Sequence, residues 1–362
     1  MEIGSRLIVE WKNLQKLFDA IIDQKYTLVG PSLKNEAIVY DTIHSVDELP
    51  QGITDEHAGG HYRIKKTSSP EAFGYTVSAQ SWKRFLFPPD VRLWKATRKN
   101  GKFEIEPESQ APPPRYAFFG VRPCELQAIH IQDKVFINKF YADPNYSLRR
   151  DQLLIIVMQC TQAGSNCFCT SMDTGPKARQ GFDLAMTEIA DTDRHYFVAT
   201  IGTDRGAALM HSVPHTQATE KELQQATLRE NRATAMMTKT LDTAHIQELL
   251  DRHFESPRWD ETASRCLSCA NCTLVCPTCF CSDVEDVTDL TGTTAERRRR
   301  WDSCFTASHS HLHGGSVHAS GIDQFGESGC VGCGRCMTWC PVGIDLTEEV
   351  RAFRERDVTK TS

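Results

Sequence analysis

Eight of the chain's 15 cysteines fall into two runs of identical spacing. The first is Cys266-x2-Cys269-x2-Cys272-x3-Cys276-Pro277, and the second is Cys330-x2-Cys333-x2-Cys336-x3-Cys340-Pro341. A four-iron cubane needs four thiolates directed at its four irons. Three cysteines two residues apart let one tight loop wrap three corners, while the fourth, three residues on, lies on a departing segment and ligates the other cluster. The spacing therefore predicts two 4Fe–4S clusters. One takes Cys266, Cys269, Cys272 and Cys340; the other takes Cys330, Cys333, Cys336 and Cys276. Proline after the fourth cysteine turns the chain and withholds a backbone donor near the sulfurs. Structural zinc suits the pattern poorly, because it wants Cys or Cys/His pairs closed into one tetrahedron.

Seven cysteines remain. Cys124 sits just past the apolar run Tyr116–Val121, Cys160 ends the run Leu153–Gln159, and Cys167 and Cys169 follow closely. If the two runs are neighbouring strands of a parallel sheet, all four cysteines gather at its carboxyl end, where open α/β sheets place their sites. They then suit a third 4Fe–4S cluster; the competing reading is that they are ordinary core thiols. Cys279, Cys281 and Cys304 read as packing around the clusters.

The elements that must position these cysteines divide the sequence into three. Residues 1–215 mix short apolar runs with Pro and Gly breaks and read as an α/β-type domain, with Pro123 in the first turn of a helix. Residues 216–257, rich in Ala, Glu, Gln, Leu and Arg, read as a helical connector. Residues 258–362 form the two-cluster domain. The 53 residues from Pro277 to Gly329 separate its motifs and include the helix-forming stretch Ala295–Trp301. That insert predicts a mainly helical ferredoxin-type domain, so the fold class is α+β. The run Arg297–Arg300 reads as a solvated or partner-facing helix face in preference to one offsetting cluster charge. No metal is expected at His309, His311 and His313.

Composition excludes other classes. A net charge of −6 over 362 residues argues against a general nucleic-acid surface. The N-terminal residues lack the basic and apolar regions of a signal peptide, and no apolar stretch approaches bilayer-spanning length. An odd cysteine count without export signals argues against a disulfide framework and for metal in a reducing, cytoplasmic compartment. No G-x-G-x-x-G follows a strand and no P-loop is present, so the chain has electron carriers without a visible hydride site. A catalytic third cluster and a redox sensor are weaker readings, the latter because no DNA- or effector-binding module is visible.

The segments Cys276-Pro-Thr-Cys-Phe-Cys281, Trp301-Asp-Ser-Cys304, and Cys330-Val-Gly-Cys-Gly-Arg-Cys-Met-Thr-Trp-Cys-Pro-Val-Gly-Ile-Asp345 resemble the β subunit of cytosolic NiFe hydrogenases, the sulfhydrogenases. A related iron–sulfur protein of the anaerobic sulfite reductases shares the pattern. Phe119-Gly-Val-Arg-Pro-Cys-Glu-Leu126 and Asn166-Cys-Phe-Cys-Thr-Ser-Met-Asp-Thr-Gly-Pro176 extend the resemblance over most of the chain. It implies a non-catalytic iron–sulfur subunit of a heteromeric complex, placed between a flavin partner that handles NAD(P)H and a terminal catalytic partner. That terminal partner is the small subunit of a NiFe hydrogenase with its large subunit, or a sirohaem sulfite reductase protein. The sequence departs from the family at His318–Gly321, where relatives carry a longer basic segment.

Overall fold

The two apolar runs flanking Cys124 and Cys160 become adjacent parallel strands in the middle of a mixed sheet. The computed structural model describes residues 1–106, 113–137, 140–306, 309, 311–312, 315–316 and 329–361. The chain begins with β1 (Arg6–Glu10), α1 (Leu14–Asp23), β2 (Thr27–Lys34), β3 (Ala37–Thr42), β4 (Ile53–Ala58) and β5 (His61–Lys66). It continues with α2 (Lys83–Leu86), β6 (Asp90–Lys99), β7 (Lys102–Glu106), β8 (Tyr116–Val121), α3 (Pro123–Phe136), α4 (Pro144–Asp151) and β9 (Leu154–Met158). Next come β10 (Leu184–Ala190), β11 (His195–Ile201), α5 (Asp204–Met210), β12 (Thr216–Gln217), α6 (Glu220–Met236) and α7 (Ile246–Arg252). The cysteine-rich part carries α8 (Arg258–Arg265), α9 (Asn271–Val275), β13 (Ser282–Thr288), β14 (Thr294–Trp301), α10 (Arg335–Thr338) and α11 (Leu346–Thr361). The architecture is α+β.

Eight strands form the main sheet, in the order β12-β1-β11-β10-β9-β8-β2-β3. Its centre, β2, β8, β9 and β10, is parallel, and its flanks are antiparallel. Strand alternation sends Ala117, Phe119, Leu154 and Ile156 into one core with Leu17, Phe18 and Ile21 of α1. Phe118, Val121, Ile155 and Val157 enter the opposite core with Leu126 and Ile129 of α3. Each of the fully buried Val, Leu, Ile and Phe side chains contributes about 1.5–3 kcal/mol. Both faces are covered, so the carboxyl ends of β8 and β9 are left to carry chemistry.

Register slips between Phe119 and Val121, at Gly120, whose φ is +92°. A Cβ there would stand 2.9 Å from the Phe73 ring, so this bulge needs glycine. The strand then delivers Arg122, Pro123 and Cys124 directly into α3. Within residues 216–257 the structure forms α6, whose Ala226 packs against Ile8 and Ile189 of the sheet, and α7, whose Leu249 and Leu250 pack with Val350 and Phe353.

The insert between the cysteine runs corrects the expectation of a mainly helical C-terminal domain. Residues 282–301 are a hairpin, β13–β14, and Ala295–Trp301 is strand. Glu, Ala and Arg favour helix in isolation, but cross-strand charge pairs override that preference here. Arg297 binds Asp286 through two hydrogen bonds of 2.7 and 2.6 Å. Arg300 reaches Glu285 at 2.9 Å, Arg298 reaches Asp90 at 3.0 Å, and Arg299 pairs with Asp143. The four arginines are thus paired strand residues and not a solvated helix face. β14 also pairs with β6, giving a four-stranded sheet β13-β14-β6-β7. Strand pairing therefore ties the cysteine-rich part to residues 90–106.

Candidate iron–sulfur centres

The structure places Cys340 near the first run's Cys272 and Cys276 near the second run's Cys330, Cys333 and Cys336. Cys266 closes α8, Cys272 lies on α9, and Cys340 follows α10. The Cys272 thiol has Cys266, Cys340 and Cys269 as its neighbouring cysteines. Two non-glycine residues, Ser268 and Ala270, adopt positive φ (+50° and +63°) to fold this loop. Backbone N–H groups of Ser268 and Ile344 point at the sulfurs of Cys266 and Cys340, each at 3.4 Å. N–H donors of this kind stabilise thiolate and tune a bound cluster.

In the second group, Cys330, Cys333 and Cys336 gather with Cys276. Cys276 acts on all three thiols, and one cavity has all four cysteines in its wall, with Phe168 and Leu346. The Gly332 N–H points at Cys330 Sγ at 3.3 Å, and Thr278 Oγ1 lies 3.2 Å from Cys276 Sγ. The two groups adjoin, since Cys272 also bears on Cys336. Asn271 Nδ2 donates to the Trp339 carbonyl at 3.4 Å and links the two loops.

The parallel sheet gathers the third set as its topology requires. Cys124 starts α3, Cys160 follows β9, and Cys167 and Cys169 complete the group. Each of Cys124, Cys167 and Cys169 has Cys160 among its neighbouring cysteines, and each also lies near Cys333 of the second group. The loops interlock backbone to backbone. Phe168 N–H donates to the Gly332 carbonyl at 2.9 Å, and Thr174 Oγ1 donates to the Val331 carbonyl at 2.6 Å. A Cβ on Gly332 would stand 2.7 Å from Cys169 N, and one on Gly334 2.3 Å from Asn166 O. Thr338 of α10 holds the same junction, hydrogen-bonded to Asn166 at 2.9 Å and to the buried His57 at 3.2 Å.

Burial pushes the Cys272, Cys330 and Cys167 thiols up to about 12 and lifts Cys124 and Cys336 well above the ordinary thiol range. Such thiols ionise only against a strong cationic partner. Two guanidiniums are already in place. Arg122 lies against Cys160, and Arg335 against Cys333. Both arginines are fully buried. Arg122 donates to the Phe73 and Tyr75 carbonyls at 2.9 and 2.8 Å. Arg335 donates to the Ser78 and Gln80 carbonyls at 2.7 and 3.0 Å and pairs with Glu125. Arg122 Nε and Arg335 Nη1 are buried with no hydrogen-bond partner among the described residues. Orphaned cationic donors beside grouped thiols are the surroundings an anionic iron–sulfur cluster fits.

The remaining cysteines, Cys279, Cys281 and Cys304, come together as well, with the Cys281 thiol hydrogen-bonded to both others. None of the chain's cysteines is in a disulfide. Among the described residues, no three His, Cys, Asp or Glu side chains close on a point fit for a single metal ion. Of the histidine tract, His313 and the side chain of His311 lie outside the described residues, as do His318–Gly321.

The 4Fe-4S dicluster domain family matches residues 265–321, a span that opens at the first cysteine run and ends before the second. Sulfhydrogenase 2 subunit beta of Pyrococcus furiosus is 29% identical over 342 residues, which cover 90% of this chain and 92% of that protein. The chain is a relative of that sulfhydrogenase subunit. No solved structure matches it. The sulfhydrogenase likeness bears out the resemblance read from the motifs, and with the dicluster match it supports an iron–sulfur electron-transfer subunit with 4Fe–4S clusters. Among the described residues, no helix is long and apolar enough to cross a membrane.

Sequence reasoning missed the charged residues that surround these thiols: Arg122, Glu125, Arg335 and Lys83. Three carried a signal, since Arg122 and Glu125 flank Cys124 closely and Arg335 immediately precedes Cys336. Lys83 lies in no motif.

Proposed function

We propose that this chain is the iron–sulfur relay of a hydrogenase complex, with three 4Fe–4S clusters in line. Cys266, Cys269, Cys272 and Cys340 hold the first. Cys330, Cys333, Cys336 and Cys276 hold the second, and Cys124, Cys160, Cys167 and Cys169 hold the third. The carrying observation is the cavity walled by Cys276 together with Cys330, Cys333 and Cys336, which supports crossed ligation. When bound, a 4Fe–4S cluster accepts and donates one electron at a time without making or breaking bonds to substrate.

The chain's own residues supply the rest. The adjacency of Cys272 to Cys336, and of Cys333 to the third set, favours a continuous path. Cys269 is solvent-exposed, with Leu267 and Leu274 exposed beside it. That makes the first set the end open to a partner. The buried guanidiniums of Arg122 and Arg335 compensate thiolate charge and exclude water from the second and third sets.

The partners on this reading are a flavin subunit that oxidises or reduces NAD(P)H and the small subunit of a NiFe hydrogenase, in the cytoplasm. The relative named as a sulfhydrogenase subunit favours this over the same relay in a sirohaem sulfite reductase. The test is anaerobic iron, acid-labile sulfide and zinc per chain. We expect about twelve irons and twelve sulfides, four of each per cubane. About eight of each would return Cys124, Cys160, Cys167 and Cys169 to the protein core, and zinc with little sulfide would overturn the relay.

A further inference from the structure

Lys83 is a buried cation with no carboxylate partner among the described residues. It sits on α2, is 4% exposed, and places its Nζ 3.4 Å from the Leu274 carbonyl and 4.1 Å from the centre of the Trp301 ring. The ring is itself fixed, because Trp301 Nε1 donates to the Phe87 carbonyl at 2.9 Å. Among the described residues no ion pair reaches Lys83. Burial pulls the Lys83 ammonium below the usual lysine range and Arg335 adds to this, while the sulfurs of Cys279, then Cys276 and Cys281, favour its charge. An ammonium taken out of water without an anion is costly, so the fold keeps Lys83 here only against something negative.

We propose that Lys83 is a positioning residue of the relay, whose ammonium raises the reduction potential of the cluster that takes Cys276. The inference rests on the cluster reading above, but not on which run supplies the other three cysteines. One electron arriving at that cluster adds one negative charge, and no bond forms or breaks. A fixed positive charge beside it stabilises the reduced form more than the oxidised form, and in a site shielded from water that difference is large. Cation–π contact with Trp301 and the Leu274 carbonyl keep the ammonium from swinging away. Thus the residue acts on the electron's resting place through charge and not through ligation.

The experiment is a mediated dithionite titration of the iron-loaded full chain, followed by low-temperature EPR, for Lys83→Met and Lys83→Arg. The cluster concerned is the one whose signal changes in Cys276→Ser. At a fixed ambient potential, Lys83→Met should lower its reduced-to-oxidised ratio about tenfold, a shift of about 59 mV for a one-electron couple. The other clusters should keep their midpoints, and Lys83→Arg should retain the original value. If Lys83→Met fails to load iron, Lys83→Gln carries the same expectation. Full iron content with an unmoved midpoint overturns the proposal and leaves the cluster reading standing; so does an equal shift at every cluster. A parent chain without iron–sulfur signals overturns the cluster reading itself.

Discussion

Replacing Glu125 by Gln tests whether the buried charges at the junction of the second and third cysteine sets hold the protein together. Glu125 is 1% exposed. Its Oε2 accepts three hydrogen bonds, from Tyr40 Oη at 2.9 Å, Trp82 Nε1 at 3.1 Å and the Arg122 N–H at 3.1 Å. Its Oε1 faces Arg335. An amide can keep only one of these roles. If its oxygen stays with the three donors, its NH2 confronts the Arg335 guanidinium, and a fully buried cation loses its counter-charge. Breaking one partner of a buried pair costs about 3–5 kcal/mol. With about 2.1 cal/mol/K of unfolding entropy per residue, 362 residues respond with a fall in Tm of about 4–7 °C. The assay is thermal unfolding of the iron-loaded chain, alone and in a cycle with Arg335→Met. The double variant should cost less than the sum of the singles, because removing both charges leaves neither stranded. Additive costs, or a Glu125→Gln Tm within about 1 °C of the parent, would refute the electrostatic account of this junction.

Other expectations are more local. Cys340→Ser should abolish the EPR signal of the cluster assigned to Cys266, Cys269 and Cys272; loss of the Cys330, Cys333 and Cys336 signal instead would overturn crossed ligation. Gly332→Ala should lower iron by at least one cubane, about four irons per chain. Its φ of +64° resists a side chain, and the new Cβ would meet Cys169 backbone atoms at 2.7 Å. Asp286→Ala should move Tm by no more than about 1 °C, since Asp286 and its partner Arg297 both face solvent and water screens such a pair. Asp345→Ala should cost about 1–2 kcal/mol, because that carboxylate accepts the Thr347 N–H at 2.9 Å and pairs with Lys239. Burial works to raise the Asp345 carboxyl, but Lys239 and Thr347 hold it below its ordinary value. Its contribution is therefore complete above the unfolded carboxylate pKa of about 3.9 and is lost as pH falls below that. Acid unfolding of Asp345→Asn should lack this component.

The cysteine spacing was legible because a cubane imposes it, and the third set was legible because two apolar runs each ended at a cysteine. A parallel β8–β9 pair then had to bring Cys124 and Cys160 to one sheet end. The hairpin was not read, although its signals were there. Asp289-Leu-Thr-Gly-Thr293 is a turn, with the Asp289 carboxylate accepting the Thr293 N–H at 2.8 Å and Gly292 at positive φ. Val284, Val287 and Thr288 on its first arm are strand formers. Local propensity over Ala295–Arg300 pointed the other way, and the deciding partner, Asp90 with the rest of β6, lies about 200 residues earlier in the chain. Pairing over that separation leaves no periodic trace.

The same limit hid the electrostatics, and there the physical logic runs from the fold back to the ligand. Arg122, Arg335 and Lys83 are each nearly or wholly removed from water. Each lies by cysteines, and among the described residues only Glu125 forms an ion pair with any of them. A sequence could satisfy the same space with Met or Leu at lower desolvation cost. Keeping three cations there is reasonable only if the thiols around them carry negative charge in the working protein. Isolated buried thiols would not, because burial holds them protonated. On the relay reading, iron removes that proton, and thiolate-bound clusters then give Arg122 and Lys83 an anion that no ion pair among the described residues supplies, and give Arg335 a second one beside Glu125.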